Sequence, residues 1–536
     1  MKQGLMGLKS GVWRKFAVAA ALAAVLTAWA DSPVLGQLGK PNIVVFMIDD
    51  LDLSTLQTLL ATGLMPNVKS YFVDVGVAFP ETYAVAGLGG PSRATFLTGQ
   101  YPHNHGMVGN YLPLGGITKL NQFSTVATWM NTAGYHTSLV GRHVTGYGWW
   151  TDPRVVPPGW DDWNALIEPG AFSMRNYSMN LNRTIVDFGA IATATGRDLY
   201  QTDVLGAIGV GAVRKAAAQP DPLFLLVTPV IWNREILPVY NVCADPNDTG
   251  PFGGNFWGVS EQPATRHLNT VFGDQINFPL PQPPSFDEPD VEDKPDWVKS
   301  NPRLTAEDVD CLTKRYWRKL EAVRAVDDMV GAVMGELQAT GKLANTIAFF
   351  TGDNGLMDGQ HRFPEKTPAY EEAIRVPLWV RLPGATTPRT STRMVLNTDL
   401  APTIAQLGQA AMTHVTDGRS ILPLLQNTEY SPWRTVGLIE FKAEGSQISG
   451  NLTGPPDYFA LRTSVTTPRL YVQYPTVTTG IRGELYDLQS DPYQLQNLFV
   501  NPARQAERAR LEPWLNAMKT CRGFTCYALE NLFSFN

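Results

Sequence analysis

Asn42-Ile43-Val44-Val45-Phe46-Met47-Ile48-Asp49-Asp50 is the stretch that decides the fold. Its apolar residues run without a polar alternation, which is the pattern of a strand buried on both faces, and the run stops on two carboxylates. Similar runs recur at residues 137–140, 224–230 and 346–350, with helical stretches such as residues 124–133 between them. The clearest helix begins near Thr305, which pairs with Asp308 as a capping box. It carries Leu312, Tyr316, Leu320, Val323, Val326, Val330 and Leu337 at helical spacing towards Gly341. Strands alternating with helices predict an α/β fold with a doubly wound, mostly parallel sheet flanked by helices. Its ligand site should lie beyond the carboxyl ends of the strands.

Two segments break this rhythm. Residues 233–302 are rich in Pro, Gly and Asn, and Pro279, Pro281, Pro283, Pro284, Pro289 and Pro295 argue against regular structure there. An irregular insertion of this length is expected to be functional, as a rim of the substrate site, or else disordered. From about Ser431 the texture changes to short Thr- and Tyr-bearing runs at residues 460–465 and 469–474, with turns at Gly480 and Asp491-Pro492. This predicts a smaller C-terminal α+β domain with an antiparallel sheet and a terminal helix over residues 502–518. The expected division is a signal peptide at 1–30, a main domain at 40–430 and a C-terminal domain at 431–536.

The 536-residue chain carries a formal charge of -6 and no long basic run, which argues against a nucleic-acid partner. Lys2, Lys9, Arg14 and Lys15 precede an apolar run at residues 16–26 and the small-x-small end Ala28-Trp29-Ala30. These features predict a secretory signal cleaved after Ala30, since the run is shorter than the roughly 20 residues that span a bilayer. No later segment reaches spanning length, so the expected location is secreted: extracellular, cell-surface or a periplasmic type of space. In an oxidising compartment the four cysteines should form two disulfides, with three pairings possible. Cys521 and Cys526 are close enough to close a local loop, leaving Cys243 with Cys311. Asn176, Asn182, Asn247 and Asn451 sit in Asn-x-Ser/Thr sequons and would accept glycans in a host that adds them.

Asp353-Asn354-Gly355 ends the run at 346–350 much as Asp49-Asp50 ends the first. Two adjacent strands terminating in acid or amide pairs would converge on one point, offering hard oxygen ligands to calcium or magnesium. Singly, such strand-end acids more often cap helices or turns. A third stretch is Gly87-Leu88-Gly89-Gly90-Pro91-Ser92-Arg93-Ala94-Thr95-Phe96-Leu97-Thr98-Gly99. Two glycines and a proline leading into an apolar stretch predict a helix amino end, where free N–H groups and the helix dipole favour an anion. Arg93, one turn in, is placed to fork onto a sulfate or phosphate.

That stretch resembles the sulfatase signature, Cys or Ser-x-Pro-Ser-Arg followed by Thr-Gly, with Pro91, Ser92, Arg93, Thr98 and Gly99 in register. The likeness continues through Tyr101-Pro102-His103-Asn104-His105-Gly106 and Thr351-Gly352-Asp353-Asn354-Gly355. It extends to Gly359-Gln360-His361, Lys366, Tyr370-Glu371-Glu372, Arg375-Val376-Pro377 and Leu485-Tyr486-Asp487-Leu488. The chain is similar to the sulfatase family of the alkaline-phosphatase-like superfamily, closest to its N-acetylglucosamine-6-sulfatase and arylsulfatase branch.

The resemblance implies a calcium ion, with magnesium as the lesser alternative, held by Asp49, Asp50, Asp353 and Asn354. It implies Arg93 and Lys366, with Arg142, as the cations that stabilise the transferring sulfate, and His361 at the substrate; His143 is either a spatial stand-in for a leaving-group histidine at the substrate or a packed or surface residue. In sulfatases the residue two before the proline is a cysteine or serine that becomes formylglycine, whose hydrate attacks the sulfate ester. Here that position is Gly89, which has no side chain and cannot become formylglycine or any covalent nucleophile. Arg142 stands at what looks like an active-site lysine position, and Trp232 where many sulfatases place a histidine that assists the leaving group. Ser92 follows the proline and should point elsewhere. Two functions follow: a secreted, calcium-dependent sulfuric ester hydrolase acting on an aryl or carbohydrate sulfate, or a catalytically inactive relative that binds sulfated glycans in the same pocket.

Overall fold

The computed structural model describes residues 39–230, 240–244, 258–271, 278–428, 433–444, 452–464 and 466–533. In chain order the first strands are β1 (Asn42–Ile48), β2 (Val77–Ala78), β3 (Thr82–Tyr83), β4 (His136–Gly141), β5 (Asp162–Leu166), β6 (Ser178–Leu181), β7 (Thr184–Asp187) and β8 (Leu223–Thr228). They are followed by β9 (Thr346–Gly352), β10 (Leu378–Arg381), β11 (Arg389–Thr390) and β12 (Val395–Leu396), then by β13 (Val436–Phe441), β14 (Tyr458–Thr463), β15 (Arg469–Gln473) and β16 (Gly483–Asp487). A ten-stranded sheet runs β11-β2-β10-β9-β1-β8-β4-β5-β6-β7. Its centre, β9-β1-β8-β4-β5, is parallel, and antiparallel neighbours β10 and β6 flank it.

The opening run is uninterrupted because β1 is covered twice. Ile43, Val45 and Met47 join one core with Val126, Trp129, Ile404 and Leu407, while Val44, Phe46 and Ile48 join another with Leu205, Leu320, Val323 and Val330. Burying a side chain of this size contributes roughly 1.5–3 kcal/mol, so both faces must be apolar. The helices that matter below are α1 (Gly89–Thr98), α2 (Gln201–Ala217), α3 (Ala306–Ala339) and α4 (Gln505–Met518). Thr305 caps α3 as expected: its hydroxyl accepts from the Asp308 amide at 3.1 Å, and its own amide donates to the Asp308 carboxylate at 2.8 Å.

The C-terminal sheet, β13-β14-β15-β16, is antiparallel and backed by α4. It shares one core with Tyr83, Val85, Leu88, Tyr101, Met357 and Phe363, which flank the carboxyl ends of β1 and β9. The small sheet therefore packs directly onto the site-bearing loops. Buried Arg434 reinforces the joint by pairing with both Asp399 and Glu530.

Three details depart from the sequence reading. The terminal helix begins at Gln505 after a short turn of 3-10 helix, Pro502–Arg504, and a further helix, Phe524–Leu532, follows it. The proline-rich segment contains a four-residue α-helix, Asp296–Lys299, started by Pro295, whose fixed φ suits a helix entry. A hairpin, β6-β7, turns on Asn182 and Arg183, both at positive φ. The disulfides pair Cys243 with Cys311 and Cys521 with Cys526. Asn176 and Asn182 are exposed; Asn247, Asn451, Trp232 and the expected signal peptide lie outside the described residues. Among the described residues no helix is long and apolar enough to cross a membrane.

Candidate functional site

Ile48 is paired with Gly352 across parallel strands β1 and β9, so Asp49-Asp50 and Asp353-Asn354 leave the sheet side by side. Carboxylate oxygens of Asp49, Asp50 and Asp353 lie within 4.8 Å of one another, and all three residues are buried. Asp50 holds φ at 56°, a left-handed conformation unusual for a residue with a Cβ. Its amide donates to Asp353 Oδ1 at 3.0 Å, and the Asn354 amide donates to the same oxygen at 2.8 Å. Asn354 Nδ2 donates to Asp50 Oδ1 at 2.7 Å. Asp49 Oδ1 and Asn354 Oδ1 are buried without a hydrogen-bond partner. Leaving such a group unsatisfied costs about 1–3 kcal/mol, more for a charged one, and a hard cation is the partner two clustered oxygens fit.

The start of α1 faces this cluster. Leu88 is extended at the N-cap without a side-chain cap, and Gly90 N donates to Asn110 Oδ1 at 2.8 Å. A Cβ on Gly89 would lie 3.3 Å from Arg142 Nη1, 3.3 Å from Asp353 Oδ2 and 3.6 Å from Asn354 Oδ1. A side chain at this position would thus point at the acidic cluster and its cations. Arg93 Nε donates to Asp353 Oδ2 at 2.8 Å, and its Nη2 lies 3.3 Å from Asp49 Oδ2. Ser92 turns away, as expected: its hydroxyl donates to the Asp353 carbonyl and accepts from Asn397 Nδ2 at 2.8 Å.

Arg142, at the end of β4, donates through Nη1 to Asp49 Oδ2 at 3.1 Å, through Nε to Glu168 Oε1 at 2.9 Å and through Nη2 to Thr145 Oγ1 at 2.9 Å. Lys366 Nζ lies 2.6 Å and 2.7 Å from the two oxygens of Asp50. Burial pushes Asp50 up to about 7, against the attraction of Lys366 and with the repulsion of Asp49 and Asp353. Burial likewise raises Asp353, helped by Asp49. Asp49 meets the same burial, but Arg142 and Arg93 outweigh it and hold its carboxyl below the ordinary range. Burial opposes the charges on Arg142 and Lys366, yet the surrounding carboxylates keep both firmly protonated.

Glu168 was not legible as a site residue. It follows β5, a strand without a continuous apolar run, and its second oxygen accepts from Gly146 N at 2.7 Å. It therefore ties Arg142 to the turn that carries Trp149 and Trp150.

Gly89, Arg142 and Lys366 open onto a cleft of about 850 Å³, walled on one side by Trp149 and Phe172 and on the other by Phe441 and Pro456. The acidic cluster and Arg93 lie beneath them. The two histidines are not brought to this cleft. His143 meets Trp163 edge-on at 5.1 Å, and burial, with Arg93 nearby, pushes its pKa down to about 3, so it is neutral. His361 is fully buried, stacked at 3.8 Å on Tyr370 with Nδ1 at 2.6 Å from Glu288.

A family model described as sulfatase matches residues 41–162 and 275–410, and one described as N-sulphoglucosamine sulphohydrolase, C-terminal, matches residues 359–520. The chain is 28% identical to an arylsulfatase of Volvox carteri over 91% of this chain and 76% of that protein. It is 26% identical to the N-acetylglucosamine-6-sulfatase of Homo sapiens over 91% of this chain and 86% of that protein. A solved protein in complex with its substrate D-glucosamine-2-N,6-O-disulfate shares the fold, with a TM-score of 0.65 and 20% identity over 92% of this chain and 99% of that one. Taken with the aspartates at the strand ends and the Pro-Ser-Arg turn beside them, these matches show that the chain belongs to the sulfatase family.

Proposed function

We propose that the chain binds the sulfate ester of a carbohydrate outside the cell, at a calcium ion held by Asp49, Asp50, Asp353 and Asn354. In this reading Gly89 occupies the nucleophile position and closes the formylglycine route to hydrolysis. The observation that carries it is the direction of the absent side chain, whose Cβ would sit between Arg142 Nη1 and Asp353 Oδ2 at 3.3 Å from each. The nearby hydroxyl of Ser92 is turned into the protein, onto the Asp353 carbonyl and Asn397.

The charges support an anion. Asp49, Asp50, Asp353 and Glu168 face Arg93, Arg142 and Lys366, four carboxylates against three cations. A dication turns that deficit into a surplus of one positive charge, which a sulfate monoester neutralises. A set of oxygen donors rich in carboxylates would suit a hard cation such as calcium. The bound cation supplies Lewis-acid polarisation of a sulfate oxygen. Arg142 and Lys366 line the cleft, where they would pair with the sulfate oxygens, and Asp50, now bonded to Lys366, would be among the cation's ligands. Residues 40–430 carry this machinery, residues 431–536 supply the facing wall, and residues 1–30 direct export.

A second reading, calcium-dependent hydrolysis by the chain as it stands, is favoured by the completeness of the charged frame around residue 89. Sulfate release from a panel of aryl and sugar sulfates, with and without a calcium chelator, separates the two. Binding without release supports the first, and chelator-sensitive release supports the second.

A further inference from the structure

The loop between β15 and β16 has a second use besides walling the cleft. Its Val477 and Ile481 line the cleft, but Val477 also lines a hollow of about 490 Å³ and Ile481 another of about 450 Å³. The two hollows share Arg482, Phe499, Gln505 and Arg508, so they are lobes of one groove between this loop and the start of α4. Nearby arginines are paired: Arg469 and Arg504 both meet Glu507, at 2.8 Å and 3.0 Å. The side chains of Arg482 and Arg508 have no carboxylate or hydrogen-bond partner among the described residues. Packing holds Arg508 instead. Its guanidinium lies over the Phe499 ring at 4.7 Å with Nε buried, and Phe499 stacks on Tyr471 at 6.3 Å. Phe499 also covers Gly483, where a Cβ would come within 2.5 Å of its ring.

Two cations lining one hollow without a counter-charge repel each other, and an anion between them turns that repulsion into attraction. In the smaller lobe they are the only charged groups of the described lining, while Glu512 lines the larger lobe. Gln505, the first residue of α4, adds a carboxamide at the positive end of the helix dipole. Guanidinium groups present paired N–H donors that match the oxygens of a sulfate, phosphate or carboxylate. We propose that Arg482 and Arg508 form an oxyanion site separate from the cleft. The oxyanion arrives either free or as a distant substituent on an anionic ligand that crosses the loop from the cleft. Consecutive residues, Ile481 in the cleft wall and Arg482 in the groove, separate the two places.

Isothermal titration of the full chain with inorganic sulfate, at fixed ionic strength and pH 8 in a calcium chelator, tests it. Under those conditions the four carboxylates and three cations of the cleft leave it net negative, since Asp50 titrates at about 7, so the cleft does not compete. Sulfate is expected to bind the native chain, and at least tenfold more weakly the double variant Arg482→Gln with Arg508→Gln. Arg482→Gln by itself, at an exposed position, should weaken binding at least threefold with the urea midpoint unchanged. Glu512→Gln should strengthen it. In calcium buffer, sulfated dextran oligomers of two and six sugars then assign the source. A tenfold gain with length that the double variant loses means a group on a long ligand, and no gain with length means a free anion. Absence of sulfate binding in the chelator, or binding that the double variant leaves unchanged, overturns the site whatever the cleft itself binds.

Discussion

Replacing Gly89 with alanine, and separately Gly90 with alanine, distinguishes a position that packing keeps free of a side chain from one that packing leaves open. Neither glycine has the left-handed backbone that would penalise a Cβ by itself. At Gly90 the new methyl would lie 2.4 Å from Asn110 Oδ1, 2.8 Å from Met107 Cε and 3.0 Å from Thr145 Oγ1. Asn110 Oδ1 already accepts from Gly90 N and from the Thr145 hydroxyl, and Thr145 in turn accepts from Arg142. Overpacking of this kind costs about 1–3 kcal/mol, and a displaced hydrogen bond adds roughly 1 kcal/mol. Gly90→Ala should therefore lose about 2–4 kcal/mol. At Gly89 the contacts are 3.3–3.6 Å, tight but not prohibitive. The greater helix propensity of alanine, up to about 1 kcal/mol, offsets the crowding, so Gly89→Ala should change stability by less than ~1 kcal/mol. Urea unfolding with equal m-values reads the difference directly. If Gly89→Ala costs as much as Gly90→Ala, Gly89 is a packing requirement and not a missing side chain.

Calcium should stabilise the native chain by about 2.7 kcal/mol at a concentration 100 times its dissociation constant, and Asp49→Ala or Asp353→Ala should abolish the effect. A native melting temperature that ignores calcium contradicts the metal assignment. His103 donates through Nδ1 to Glu440 at 2.9 Å and through Nε2 to the Cys521 carbonyl at 2.9 Å, which requires the doubly protonated ring. Burial opposes that charge, but Glu440 more than offsets it, so the folded pKa is raised. Its stabilisation is complete below the unfolded value of about 6.5 and is lost as pH rises through the folded one. The stability gap between native and His103→Gln should shrink from pH 5.5 to pH 9, and a constant gap refutes this. Arg434→Met should cost about 3–5 kcal/mol in urea unfolding, because it strands the buried carboxylates of Asp399 and Glu530; a loss below ~1 kcal/mol shows that the network is not needed.

The central sheet was legible because strands buried on both faces leave an unbroken apolar record, as in β1, β8 and β9. Cap chemistry located α3 equally well, since Thr305 and Asp308 satisfy each other locally. The short strands β2 and β11 at one side of the sheet were invisible: two residues leave no period to read. The β6-β7 hairpin was missed because Asn182-Arg183 is a weaker turn signal than Asn-Gly. In the site, residues at the ends of strongly patterned strands could be placed, which is why Asp49, Asp50, Asp353 and Arg142 converge as read. Glu168 could not, since its role depends on how β5 pairs beside β4. His143 and His361 carry no local mark of the direction their rings take, and tertiary packing turned both away from the cleft.

Residue 89 itself provides the most direct measurement. Gly89→Cys, produced in a host that converts cysteine to formylglycine and verified to carry the aldehyde, should be assayed beside the native chain for sulfate release from sugar sulfates. The account predicts chelator-sensitive release by the variant and none by the native chain. Release by the native chain, or none by a correctly folded aldehyde-bearing variant, would contradict it.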